Sequence, residues 1–173
     1  MLKPVLEDRF RLKHHREKRQ MPVYFISPAP GGVQFRATVP GRCAPIDPNV
    51  GPPPPEQPLR PGAAPSACGL SLNQVLPGGG IKLTVRGITM ADLARALGAF
   101  LDRPVVDRTG SRQQFDVDLS FMRNDLPVSD PSPEPSDLPS LFTALKKAGL
   151  SVTSGKDAVD VLVIDQLERP SEN

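Results

Sequence analysis

The sequence predicts an α+β domain in which a mostly antiparallel sheet carries two helices on one face. Apolar and polar residues alternate strictly over 115–121, as in a strand with one buried face. Apolar residues recur at helical spacing over about 89–102 and again over 139–148. Helices joined to hairpins in this order favour antiparallel pairing. With 173 residues, the chain has room for one domain or two very small ones.

The N-terminal part of the domain, residues 1–39, is predicted to contain a hairpin. Residues 10–16 alternate between apolar or aromatic and charged side chains, and residues 23–26 are a second short apolar run. The letters REKRQMP between them would form the turn. Residues 2–8 are compatible with a short helix ahead of the first strand.

Residues 81–173 form the main α+β part. Residues 81–85 alternate and follow three glycines, which we interpret as a flexible joint. The first helix starts at a cap formed by Thr89 and Asp92, and Pro104 ends it. The second helix has Pro139 in its first turn and ends near Gly149. Residues 159–164 are continuously apolar apart from Asp160, so we expect a strand buried on both faces near the sheet centre.

A long proline-rich insertion, residues 40–80, separates these two parts. Ten prolines fall within residues 40–65, where we expect no regular helix or strand. The segment is interpreted as a structureless surface insertion, with a ligand for SH3-like domains as the alternative. Residues 127–139 hold five more prolines and are predicted to be a connecting loop.

Charge is distributed unevenly along the chain. Residues 1–20 hold seven Lys or Arg against three acids, whereas residues 107–173 hold twelve acids against seven bases. The two ends are either complementary to each other or simply solvated. The net charge of +2 is too near neutral for a dedicated nucleic-acid binder. The basic run 9–19 is the best nucleic-acid candidate, but only Phe10 and Tyr24 are available nearby for base stacking.

Motifs for metal binding, nucleophilic catalysis and phosphate binding are absent from the sequence. His14 and His15 are adjacent on a predicted strand and point to opposite faces. Asp116 and Asp118 share a strand face and would imitate a carboxylate pair, but alternating acids opposite an apolar face are better interpreted as a solvated sheet surface. We therefore predict no catalytic residue, no metal site and no cofactor.

Five segments carry a resemblance that covers the chain from Val5 to its end. The chain resembles an uncharacterised paralogous family of soil acidobacteria, the Soli family, whose C-terminal domain is of unknown function. It departs from the family pattern after DRTG, where Ser111 to Gln114 replace a Leu-Thr-Gly turn. The segments are LEDRFRLKHHREKRQMPVYFI, GITMADLARALGAFLDRPVVDRTG, FDVDLSF, PSLFTALKKAGL and VDVLVIDQLERPSEN.

The resemblance implies export and a region upstream of this chain that is missing here, although no signal peptide is evident. A periplasmic or extracellular location follows from it. Cys43 and Cys68 bracket the proline-rich segment: they would be free thiols in the cytosol and a disulfide in an oxidising compartment. A bridge would contribute about 3 kcal/mol by closing the loop, and an exported family favours it.

The sequence therefore favours a non-enzymatic binding or scaffolding domain of the cell envelope. We expect it to engage a protein partner, or a second copy as a weak dimer, through sheet edges or loops. Two alternatives remain open. One is an accessory domain of an envelope hydrolase whose active residues lie outside this chain, and the other is a weak nucleic-acid-binding module.

Overall fold

The predicted α+β class is confirmed in a computed structural model that describes residues 2–44, 66–69, 71–122 and 137–169. Antiparallel pairing dominates the sheets of these residues, and three α-helices accompany them. The elements, in chain order, are α1 (Leu2–Phe10), β1 (Lys13–Pro28), β2 (Arg36–Ala37), β3 (Cys43–Ala44), β4 (Ser66–Ala67), β5 (Ser71–Val75), β6 (Gly80–Thr89), α2 (Met90–Leu97), β7 (Val105–Asp107), β8 (Gln114–Met122), α3 (Leu141–Lys147) and β9 (Leu150–Gln166). Two short 3-10 turns, Pro77–Gly79 and Gly98–Phe100, precede β6 and follow α2.

The strands form three sheets rather than the single predicted one. The four-stranded sheet has the order β2-β8-β6-β5 and the three-stranded sheet the order β7-β1-β9, while β3 and β4 pair by themselves. β1 and β7 run parallel, as do β3 and β4. The chain divides into two units, which we call the terminal unit (Met1–Val23 with Gly155–Asn173) and the central unit (Tyr24–Ser154). β1 and β9 both continue through this division.

The core of the central unit explains why both helices lie on one face. β6 and β8 are paired so that Ile81 lies opposite Phe121 and Leu83 opposite Leu119, which places their apolar side chains on the same face. The inward residues of α2 and α3 join this cluster. Its fully buried members from the helices include Met90, Leu93, Leu97 and Leu145.

α2 begins at the predicted cap, whereas α3 begins at Leu141, so Pro139 precedes its N-cap and does not lie in its first turn as predicted. The Thr89 hydroxyl accepts a hydrogen bond from the backbone N–H of Asp92 at 3.2 Å, which starts α2. The Ser140 hydroxyl does the same for Thr143 at 3.3 Å, which starts α3. Gly149 follows α3 with φ +77, the left-handed conformation expected of a residue that ends a helix.

The predicted N-terminal hairpin is wrong. α1 continues to Phe10, and Arg11 then takes a left-handed conformation while the Leu12 N–H bonds back to the Leu6 carbonyl at 3.2 Å. The chain next runs as the single strand β1 from Lys13 to Pro28. The segment REKRQMP contains no Gly, Asn or Asp to supply the positive φ that tight hairpin turns require, so it stays extended.

Two further predictions are corrected. Leu162 and Ile164 are 57% and 58% exposed, so the end of β9 is not buried on both faces. The reason is that β9 is at the edge of its sheet and not at the centre. The predicted insertion 40–80 also extends too far, because β5 pairs with β6 from Ser71 to Val75. The three glycines therefore belong to a hairpin connection.

The proline-rich segment itself lies almost wholly outside the described residues, as do residues 127–136 of the second proline-rich stretch. At its near end, the expectation of no strand is wrong for Cys43 and Ala44. These two residues pair in parallel with Ser66 and Ala67. The Cys68 N–H then bonds to the Ala44 carbonyl at 2.8 Å, which extends this pairing.

Candidate functional site

A β-bulge in the central unit shapes the first candidate site. Val85 lies opposite Val117 and Ile88 opposite Phe115, so two residues of β6, Arg86 and Gly87, face the single residue Asp116 of β8. Gly87 adopts φ +65, which a side chain would disfavour. Bulges of this kind change the direction of nearby side chains and are frequent beside binding sites.

Asp116 is the buried acid of this site, with 8% of its surface exposed. Its Oδ1 accepts hydrogen bonds from the Thr38 hydroxyl at 2.8 Å and from the Gly87 N–H at 3.3 Å. Its Oδ2 lies 3.0 Å from the Nε of Arg42. That contact is an ion pair without a hydrogen bond, because neither atom has an aligned partner among the described residues. The buried carboxylate of Asp116 therefore restrains the guanidinium of Arg42.

Asp118 and Arg86 form a second and more exposed pair. Two nitrogens of the Arg86 guanidinium donate to the two oxygens of Asp118 at 2.9 and 3.1 Å. Arg86 also donates to the Val117 carbonyl at 3.3 Å, and the Thr84 hydroxyl donates to Asp118 at 3.2 Å. Only 19% of the Arg86 side chain is exposed, so this guanidinium is fixed rather than free to sample solvent.

Cys43 and Cys68 lie beside the bulge, at disulfide-bonding distance, 2.03 Å between the two Sγ atoms. A Cβ added to Gly87 would collide with the Cys43 Sγ and would lie 3.2 Å from that of Cys68. The absence of a side chain at Gly87 thus makes room for the cysteine pair. Since Arg42 precedes Cys43 directly, the same pairing restrains the arginine that contacts Asp116.

We predict that protein secreted to an oxidising compartment contains no titratable thiol before reduction and two after it. The Cα atoms of Cys43 and Cys68 are 5.0 Å apart, within the range that a disulfide spans, so a bridge requires no backbone movement. Thiol titration under denaturing, non-reducing conditions measures this directly. Two thiols in the unreduced sample would show that Cys43 and Cys68 are not bridged.

These residues enclose a cleft of about 360 Å³ in the central unit. It is lined by three arginines, two aspartates, one glutamine and one phenylalanine, so charged and polar groups dominate the lining. The lining residues are Gln34, Phe35, Arg36, Arg42, Arg86, Asp116 and Asp118.

The second candidate site is the outer edge of β9 in the terminal unit. β9 ends the order β7-β1-β9, so no strand of the described residues pairs with its outer side. Leu162 and Ile164 point to one face, and Leu167 just beyond the strand is 60% exposed. Open edges with exposed aliphatic side chains are places where another extended chain can add.

His15 lies between two carboxylates on the surface of the terminal unit. Its Nδ1 is 2.9 Å from Asp165 and its Nε2 is 3.6 Å from Glu17. The hydrogen bond and the charge of Asp165 raise the pKa of His15 above its ordinary value of 6.5, against a smaller opposing effect of desolvation, and Glu17 adds to the rise.

Replacing Asp165 with Asn is expected to lower the pKa of His15 towards 6.5, as measured by an NMR titration of the ring protons. A raised pKa in the folded state means that this contact stabilises fully below about pH 6.5 and that its contribution is lost as the pH rises through the folded-state pKa. Glu168→Gln is the matched control, because Glu168 pairs with Arg11 at 3.4 Å instead. A pKa of His15 that is equal in both variants would contradict this assignment.

The basic run 9–19 is partly neutralised within the terminal unit. Arg11 pairs with Glu168, His15 with Asp165, and Arg19 with Glu17. The complementarity between the basic start and the acidic end is therefore observed in two of these pairs. Such pairing leaves fewer cations available for phosphates, which weakens the nucleic-acid alternative.

Asp116 and Asp118, which the sequence predicts to lie together on a solvated sheet surface, differ in exposure. Asp118 is exposed as expected of a solvated sheet surface, whereas the same expectation is wrong for Asp116, because the bulge and Arg42 cover it. The sequence analysis missed Arg36, Arg42 and Arg86 altogether. One signal was available for the bulge: the buried positions 81, 83 and 85 are followed by 88, a break in the alternation at Gly87.

Metal-binding clusters and membrane-spanning helices were both sought in the described residues. Among residues 2–44, 66–69, 71–122 and 137–169, no group of three or more His, Cys, Asp or Glu side chains is placed to hold a metal ion. Nor does this part of the chain contain a helix long and apolar enough to cross a membrane.

The fold and the two sites define an α+β domain with a polar cleft and an open sheet edge. Comparison with known proteins identifies its relatives: a family described as a protein of unknown function, DUF3738, matches residues 1–167. The chain belongs to this family. No curated protein and no solved structure matches it.

Proposed function

We propose that this protein is a non-enzymatic binding domain of the bacterial cell envelope, which engages a protein partner along the edge of β9. The envelope location draws its support from the resemblance to the exported soil acidobacterial family and from two cysteines positioned to bridge. The mode of binding draws its support from the exposed aliphatic edge. That edge is the single observation that carries the proposal.

The edge favours addition of an extended strand. Main-chain groups along the outer side of β9 would supply hydrogen bonds to an incoming strand, while Leu162 and Ile164 would supply apolar contacts. Edges of this kind are normally protected by a charge that points into the contact. Here Asp160 and Asp165 flank the aliphatic pair, and Asp165 is already engaged by His15.

The partner that fits this edge is a second copy of the chain. An antiparallel pairing of two β9 edges centred on Val163 would place Leu162 opposite Ile164 of the other copy. The same register would place Asp160 opposite Gln166, so no two carboxylates would face each other directly. A twofold contact requires such self-complementarity, because the same surface meets itself.

Sedimentation velocity across a range of concentrations tests the proposal. The wild-type mass is expected to rise towards that of a dimer with increasing concentration. Ile164→Lys is expected to remain a monomer, because each introduced lysine would lie opposite Leu162 of the other copy in an apolar contact. Val75→Lys is the matched control: Val75 is 73% exposed on the edge strand β5 of the other sheet.

Circular dichroism verifies that both variants fold. A wild-type chain that stays monomeric at every concentration would refute the second copy as partner. Equal loss of association in Ile164→Lys and Val75→Lys would refute the assignment to β9.

A further inference from the structure

The cleft of the central unit uses none of the residues of the β9 edge, so what it binds is a question separate from the proposed function. Its two acids are each matched with an arginine: Asp116 with Arg42 and Asp118 with Arg86. The fifth charged residue, Arg36, forms no ion pair with a described residue. The cleft therefore has one surplus positive charge.

The sheet register fixes where that surplus lies. Arg36 of β2 is the direct cross-strand partner of Asp116 in β8, so the two side chains leave the sheet on the same face. Asp116 is buried, whereas Arg36 is exposed and lines the same cleft. Arg42 borders the same cleft with 36% of its side chain exposed.

Arg42 retains unused hydrogen-bonding capacity. Its Nε contacts Asp116 without an aligned hydrogen bond, and within the described residues the Arg42 side chain forms no other hydrogen bond. The planar guanidinium carries further N–H donors in a fork that matches a carboxylate. Arg36 and Arg42 can thus both donate to one anionic group, while Asp116 holds Arg42 in position.

The other lining residues indicate what would be attached to that anion. The Gln34 amide nitrogen donates to the carbonyls of Gly31 and Gly32 at 3.1 and 3.2 Å, so its amide oxygen is oriented and remains an acceptor. Phe35 also borders the cleft, but its side chain packs against the core. An acceptor for a peptide N–H beside an anion fork matches the end of a peptide.

We propose that this cleft binds an organic carboxylate, with the carboxy-terminal group of a peptide as the form that best fits its lining. A carboxylate carries one negative charge, which balances the single surplus charge of the cleft, whereas a phosphate dianion would exceed it. The cleft volume of about 360 Å³ lies within the range of small-ligand sites and accommodates a terminal dipeptide.

The test is an NMR titration of the full-length protein with N-acetyl-alanyl-alanine, its C-terminal amide and inorganic phosphate at matched ionic strength. The Gly87 amide reports on the cleft because it donates to Asp116. We expect saturable shifts with the free carboxylate, little change with the amide, and weaker binding of phosphate. Arg36→Gln is expected to weaken carboxylate binding by about tenfold or more, since a charged hydrogen-bond donor is lost.

Arg95→Gln is the matched control, because Arg95 is an exposed arginine of α2 outside the cleft, and the same charge is removed. Equal weakening by the two variants would reduce the effect to net charge and overturn the site. Equal binding of the carboxylate and the amide, or no saturable shift with either, would also overturn it. Tighter binding of phosphate than of the carboxylate would overturn the ligand class.

Discussion

Gly149→Ala is expected to destabilise the protein by about 2–5 kcal/mol, which is a large fraction of the stability of a typical domain. Two effects act together at this position. Gly149 adopts φ +77, which is costly for any residue with a Cβ atom. An added Cβ would also collide with the carbonyl oxygen of Gly32, and backbone cannot move aside as a flexible side chain can.

The collision matters because this turn connects two chain segments through their backbones. The Ala29 N–H donates to the Gly149 carbonyl at 2.9 Å, and the Gln34 N–H donates to the Ala148 carbonyl at 2.9 Å. Moving Gly32 away from a new methyl group would stretch both hydrogen bonds. The strain would therefore spread from the end of α3 into the segment that follows β1.

Chemical denaturation of the wild type and the variant measures the loss. Gly110→Ala is the matched control, because Gly110 has φ +68 and open space where its Cβ would lie. The control isolates the backbone cost of about 1–2 kcal/mol. If both variants lose the same free energy of unfolding, the close approach of Gly32 contributes nothing.

The elements that sequence alone predicted well are those whose pattern is regular over several residues. α2, α3, β6 and β8 all have one apolar face set against polar neighbours, and each is found near the expected place. Their caps lie within a few residues of the start of the apolar pattern, so local chemistry determines where the helices begin.

The sequence predicted only parts of β1, residues 10–16 and 23–26, as two strands of a hairpin, and it did not predict β5. The break between α1 and β1 depends on the left-handed conformation of one residue, Arg11. Arginine has no particular preference for that conformation, so the sequence does not indicate the break. Beyond that break, a mixed charged segment remains extended because it is paired with β9. The strand β5 is short and its composition does not favour a strand. It is extended because it pairs with β6.

The cleft was beyond sequence reasoning for a different reason. Alternation assigns Asp116 and Asp118 the same exposure, but tertiary contacts separate them. Asp116 is covered by Arg42 and bonded by Thr38, residues that reach it from distant parts of the chain. A polar site assembled from three segments leaves no local motif, so only the break in alternation at Gly87 pointed towards it.

Leu97→Ala is expected to cost about 2–5 kcal/mol of unfolding free energy. Leu97 has no exposed surface and belongs to the core shared by α2, α3, β6 and β8. Removing its methyl groups would leave a cavity, because the surrounding helices and strands can move in only partly. Alanine is the strongest helix former, so the substitution does not weaken α2 itself. The measured loss therefore reports packing alone.

Urea denaturation compares this variant with Val75→Ala, in which an aliphatic side chain that is 73% exposed is shortened on β5. Since little apolar surface is lost there, the control should change stability by less than about 1 kcal/mol. A loss below about 1 kcal/mol for Leu97→Ala would mean that the inward face of α2 is not where these contacts place it. An effect several times that of the control would instead establish α2 as a principal support of the sheet that positions the cleft.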